Sequence, residues 1–186
     1  MKSAIKILVC IFLLSTCSFA RVDNRTYNEV VDTLAIWINP KNIKVYVEES
    51  PKAHILKKAV KIWDDSMRSD MNFSFVNNKN EADITLNYVD YLTENRVGIT
   101  NSSHITIQGK IYMHKAHVSI SKTDPWGFNQ NDAKLLKVTL HELGHAIGIL
   151  GHSNSINDIM YYSTASTKNT SPSLRDIDSV NKLYGF

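Results

Sequence analysis

The sequence predicts an α+β fold, because two hydrophobic periodicities appear along it in a defined order. Residues 43–47, 73–76, 82–88 and parts of 97–121 repeat their apolar side chains at every second position. Two longer runs, after Pro51 and from about Asn131, repeat them at helical spacing, and a shorter one follows Ser173. The order is therefore strand, helix, several strands, helix, irregular segment, helix.

The 186-residue chain opens with Lys2 and Lys6, an unbroken apolar run from Ile7 to Leu14, and Ser18-Phe19-Ala20. A basic start, a short apolar stretch and small residues at the end have the form of an export signal, and the run is too short to span a membrane. Residues 1–20 are expected to be a signal peptide, which makes the protein secreted or extracytoplasmic. Leu14-Ser15-Thr16-Cys17 leaves a lipid anchor at Cys17 as a lesser alternative. Residues 21–36 read as a short polar leader or pro-segment, and residues 37–186 as one folded domain, expected to be a monomer. Both cysteines, Cys10 and Cys17, lie in the signal. The folded part is thus expected to hold together by packing and metal, without disulfides or a cysteine-based latency device. Two of the 21 Lys and Arg lie in the signal and none of the 18 acidic residues do, which leaves the rest almost neutral. That balance argues against nucleic acid as a partner, since phosphate binding needs concentrated positive charge.

The elements follow in order. Ile43-Lys44-Val45-Tyr46-Val47 alternates apolar and polar residues, as in a strand with one buried face. Ser50-Pro51 opens a helix through which Ile55, Ala59, Ile62, Trp63 and Met67 recur at helical spacing. Residues 73–76 and 82–88 are strands, and 97–121 carries more strand pattern. Gly98, Asn101-Ser102-Ser103 and Gly109 read as its turns. Asp124-Pro125-Trp126-Gly127 breaks the pattern before a second helix, which Leu135, Leu136, Val138, Leu140, Leu143 and Ile147 line on their apolar side. Ser173-Leu174-Arg175-Asp176 resembles a capping box with Asp in place of Glu, and its helix runs through Ile177, Val180 and Leu183.

Chemistry concentrates at His141-Glu142-Leu143-Gly144-His145-Ala146-Ile147-Gly148-Ile149-Leu150-Gly151-His152-Ser153. Positions four apart share one side of a helix, so His141 and His145 can aim ring nitrogens at one ion, while Glu142 lies on the flank. Gly148 suits a sharp helix stop, since glycine alone takes the left-handed conformation freely, and the chain can then bring His152 back to the metal. Three neutral imidazoles leave one tetrahedral position open, the catalytic arrangement for zinc. Glu142 is placed to act as general base towards a water activated at that position, which amounts to zinc-dependent hydrolysis of a peptide bond.

These residues resemble the metzincin metallopeptidases, and most closely the matrixins, from about Trp37 to the C-terminus. Ser153 after the third histidine is similar to the residue that marks matrixins. Asn157-Asp158-Ile159-Met160-Tyr161 resembles the family's Met-turn, and Leu174-Arg175-Asp176-Ile177 with Leu183-Tyr184-Gly185 its C-terminal helix. Trp126 matches a tryptophan often found before the zinc helix. The resemblance implies a metzincin-like zincin: a twisted mixed sheet of about five strands, two long helices and a small C-terminal subdomain ending in a helix. It also implies one catalytic zinc, Met160 as an apolar floor, Tyr161 as a wall of the S1′ pocket, and a protein or peptide substrate lying along an edge strand within 97–114. Tyr162 stands where astacins and serralysins place a tyrosine that helps at the zinc; packing of the lower subdomain is an equal reading. The chain departs from the family in one place. Three residues, Ile149, Leu150 and Gly151, separate Gly148 from His152, where the pattern has two, and Gly151 is expected to absorb the extra residue in a tight turn.

Other histidines carry less. His117 aligns loosely with a structural-zinc histidine of animal matrixins, with His104 and His114 nearby, but strict alternation puts His114 and His117 on opposite faces of a strand. A second zinc or a structural calcium is possible but unsupported: Asn129-Gln130-Asn131-Asp132 also serves as a helix cap. His54 is expected at the surface.

Overall fold

The computed structural model describes residues 35–186. The expected signal peptide, the lipid-anchor alternative and nearly all of the 21–36 segment lie outside the described residues. Six strands, β1 (Ile36–Trp37), β2 (Ile43–Val47), β3 (Phe73–Phe75), β4 (Ile84–Val89), β5 (Gly98–Ile107) and β6 (Lys110–Ser121), form one sheet. Three α-helices accompany it, α1 (Ala53–Met67), α2 (Asp132–Ala146) and α3 (Leu174–Tyr184).

The sheet is mixed. β2 lies parallel between β3 and β4, and β4 is parallel to β6 from Ala116 to Ser121. β1 pairs with Tyr112 and Met113 of β6, and β5 runs antiparallel along β6, from Gly98 opposite Ile120 to Ile107 opposite Lys110. Among the described residues β5 pairs with no strand but β6, so its other side is an edge, inside the window expected for it. The sixth strand, beyond the expected five, is β1, whose two residues are too few to show a periodicity.

Two sequence expectations about this hairpin are corrected. Gly98 and Asn101-Ser102-Ser103 lie within β5 and make no turn; the turn is Gln108-Gly109, where both residues take positive φ (49° and 78°) as a tight two-residue hairpin demands. The register also shifts at Ser103/His104, where Lys115 and Met113 are the partners and His114 is skipped. This bulge resets the alternation, so His114 and His117 are both exposed instead of facing opposite ways.

The helices pack as their apolar spacing requires. α1 buries Ile55, Leu56, Ala59, Val60, Trp63 and Met67, beginning two residues after Pro51. Trp63 is fully enclosed and donates its indole N–H to the Leu140 carbonyl at 2.9 Å, tying α1 to the middle of α2. Cutting such a side chain to alanine costs about 3–5 kcal/mol. From Leu135 onward α2 is buried on nearly every side, because it packs between α1 and the strands β5 and β6. Its Asn131 cap accepts from the Lys134 N–H at 2.9 Å. α3 begins at the expected capping box, with Ser173 and Asp176 bonded reciprocally.

Candidate metal centre and its cleft

α2 sets two imidazoles on one side, one turn apart, and then stops. Gly148 takes φ +108°, and a Cβ there would lie 2.8 Å from the Ala35 carbonyl, so both the turn and the packing require glycine. The sharp reversal is made here and not at Gly151, which has no positive φ; the expectation for Gly151 is corrected. Ile149 is buried and its carbonyl faces back to α2, while Leu150 is pushed out to the rim of the cleft. His152 then returns so that its ring lies nearly parallel to that of His141, with centroids 5.1 Å apart.

His141, His145 and His152 each offer a ligand atom within 4.8 Å of the others, and they form the one group of this kind among the described residues. Their surroundings fit a metal. His141 Nδ1 faces the Ile159 carbonyl at 2.9 Å and His145 Nδ1 the Ile149 carbonyl at 2.6 Å. Donation from Nδ1–H to those carbonyls fixes the tautomer and frees Nε2 as the donor atom. Burial lowers the pKa of all three rings, that of His152 to about 4, with the neighbouring rings adding to the effect on His141 and His152. Neutral imidazole is the ligating form. A nitrogen-only set of three matches a catalytic zinc site with one position to spare.

Glu142 lies beside this group, only 7% exposed. Burial pushes its carboxyl up to about 7, against a hydrogen bond from Thr100 and the charge of Arg96, which act to lower it. The cleft around these residues has a volume of about 480 Å³ and is lined by Arg96, Gly98 and Thr100 from in and just before β5 and by Leu150, Tyr162 and Thr164 from the segment after α2. A smaller hollow of about 260 Å³ adjoins it, sharing Asn95, Val97, Tyr162 and Thr164, with Val138 and Trp126 on its walls. Trp126 is 79% exposed.

Met160 is fully buried beneath α2, and a Cβ on Gly144 would overlap its Sδ. The glycine between the two helical histidines therefore makes room for the methionine. Tyr162, 58% exposed, lines both hollows, whereas Tyr161 lines neither and packs its ring on Tyr162 at 4.3 Å.

Side-chain hydrogen bonds hold the segment 147–173 in place. Asp176, fully buried, accepts from the N–H groups of Ile159 (2.9 Å), Met160 (3.3 Å) and Ser173 (2.7 Å). Asp158 accepts from the hydroxyls of Ser153 and Ser173 and pairs with Arg175 at 2.9 Å. The Ser153 N–H reaches the Met160 carbonyl at 2.7 Å. Ser153 thus does structural work next to His152. Sequence reasoning missed Thr100 altogether and took Gly98 for a turn; neither has a local signature, because their partner lies more than forty positions away on α2.

His104 contacts the Ser102 hydroxyl at 3.3 Å, and His117 faces Thr85; neither belongs to a metal-holding group among the described residues. His54 is exposed.

A family model described as Matrixin matches residues 28–185. Stromelysin-2 of Rattus norvegicus is 29% identical over 139 residues, which are 70% of this chain and 28% of that protein. Karilysin of Tannerella forsythia is 27% identical over 179 residues, 84% of this chain and 37% of that protein. The chain spans well under half the length of these curated relatives. The solved structure of myroilysin aligns with a TM-score of 0.50 at 14% identity, over 82% of this chain and 96% of that one, a likeness of fold. The chain belongs to the matrixin family.

Proposed function

From membership of the matrixin family we infer that this protein is a zinc-dependent endopeptidase, exported by its first twenty residues, that cleaves polypeptides held along β5. The observation that carries this reading is the convergence of three imidazoles beside a buried carboxyl in an open cleft. His141, His145 and His152 would hold the zinc. When bound, the ion would supply a Lewis acid, lowering the pKa of a water to about 7 and polarising the scissile carbonyl.

The chain's own residues do the rest. β5 leaves one side unpaired, so an extended substrate can add to it as a further strand through main-chain hydrogen bonds. Glu142, buried beside the three imidazoles, takes a proton from the attacking water and returns it to the leaving amine. Met160 closes the floor of the site and keeps water out from below. Tyr162 stands in the cleft where its hydroxyl can reach substrate, with Tyr161 supporting its ring.

Casein hydrolysis by the zinc-loaded protein tests this. Glu142→Gln should leave the zinc stoichiometry unchanged and lower turnover by more than about 100-fold, the lower end of general acid–base contributions. Equal turnover in the two proteins would remove Glu142 from the mechanism, and inert wild type with bound zinc would remove the protease.

A further inference from the structure

The edge strand does more than offer main-chain hydrogen bonds. Gly98 and Thr100, two apart on β5, both face Glu142 across the cleft. A Cβ on Gly98 would lie 2.7 Å from both Cγ and Oε1 of Glu142, so no side chain fits between the strand and the carboxyl at this position. Thr100 Oγ1 lies 2.8 Å from Glu142 Oε2 and 2.8 Å from the Glu142 main-chain carbonyl. We propose that Thr100 is a positioning residue for Glu142, whose hydroxyl holds the carboxyl in one place throughout its cycle of taking and returning a proton. The inference rests on the reading of Glu142 as general base.

The geometry supplies the reason. A hydroxyl has one proton to donate and lone pairs to accept with. While Glu142 is a carboxylate, Thr100 donates to Oε2. Once Oε1 has taken the proton, Oε2 is the carbonyl oxygen of the acid and still accepts from Thr100, which leaves the proton free to pass to the leaving amine. Either way the carboxyl keeps its partner without changing rotamer. A threonine on a strand also has few χ1 choices, so the hydroxyl loses little freedom in staying there. Valine would keep the shape and lose both bonds. Serine would keep the bonds at the cost of a looser side chain.

Steady-state kinetics on the zinc-loaded full chain test the assignment, using an internally quenched peptide copied from a casein cleavage site. Thr100→Val should lower kcat about 10–100-fold, the usual range for residues that orient catalytic groups at metal sites. KM should stay within about twofold, since valine keeps the main chain of β5, the part of the strand with which substrate would pair. Zinc stoichiometry should be unchanged, and Thr100→Ser should recover most of the loss. In a Glu142→Gln background, Thr100→Val should cost nothing further, because the two act as a unit. Full kcat in Thr100→Val would overturn the positioning role, as would equal losses in the valine and serine variants, which would point to packing. Those outcomes leave Glu142 as base; a fully active Glu142→Gln would sink that reading instead. Thr100→Ala, with a thermal melt on each variant, replaces the valine protein if it does not fold.

Discussion

α2 and the segment that follows it, residues 147–173, deliver imidazoles to one point by opposite means. In α2 the backbone ladder does the placing: two histidines four apart must share a side, and the helix needs only its Asn131 cap and an apolar surface to form. The following segment contains no helix or strand. Its shape comes from two buried carboxylates, Asp158 and Asp176, which gather hydroxyls, backbone N–H groups and Arg175 around themselves. Regular structure spreads the cost of a substitution over many small contributions. A loop built on a few buried polar groups concentrates it, because each group left unpaired costs about 1–3 kcal/mol.

The largest test of this contrast asks whether both halves give ligands of equal weight. His145→Ala and His152→Ala should each weaken zinc binding by more than about 100-fold, beyond what losing a hydrogen-bond partner of a ligand costs, and each should abolish turnover. Competition against a zinc-sensitive dye measures it. If His152→Ala keeps its zinc and its activity, the residue inserted before it has taken the loop's imidazole out of the site.

Stability separates the halves next. Asp176→Ala leaves the Ile159 and Met160 N–H groups buried without an acceptor and should cost about 3 kcal/mol in urea unfolding, with activity falling in step. Asn131→Ala removes one helix cap and should cost about 1 kcal/mol with turnover kept. Similar losses in the two variants would erase the distinction.

The smallest effect is a pH dependence of the chelated protein. The three rings sit below the unfolded value of 6.5, His152 at about 4, so the unfolded state binds more protons as pH falls through that window, and their share of stability is lost. Glu142 works the other way. Raised from 4.5 to about 7, it binds its proton more tightly in the folded state, and its share is lost as pH rises through the same range. With His104 and His117 also lowered by burial and Asp176 also raised, five rings stand against two carboxyls, and the metal-free protein should melt lower at pH 5 than at pH 7.5. A Tm that rises on acidification would mean that the rings are not held neutral.

The local sequence carried what local rules decide. Asn131 and Ser173 mark helix starts by side chains that cap their own neighbours, and the spacing of His141 and His145 needs nothing beyond a helical turn to bring them together. It misled where distant parts meet. Gly98 looked like a turn because glycine so often is one, yet it sits inside a strand to let Glu142 come close. The bulge at His114 and the two-residue strand β1 left no periodic trace, since each exists through pairing with a partner strand. Tyr161 and Tyr162 are neighbours in sequence, and the course of the loop after Met160 put Tyr162 on the cleft.

Sequence alone thus determined the three helices, the histidine pair and its carboxyl neighbour, all set by contacts within a few residues. The tertiary structure decided which glycine reverses the chain, where the third imidazole lands, and which strand leans on Glu142. Those depend on side chains brought together from far along the chain, where close packing admits one arrangement and a pattern of residues describes many.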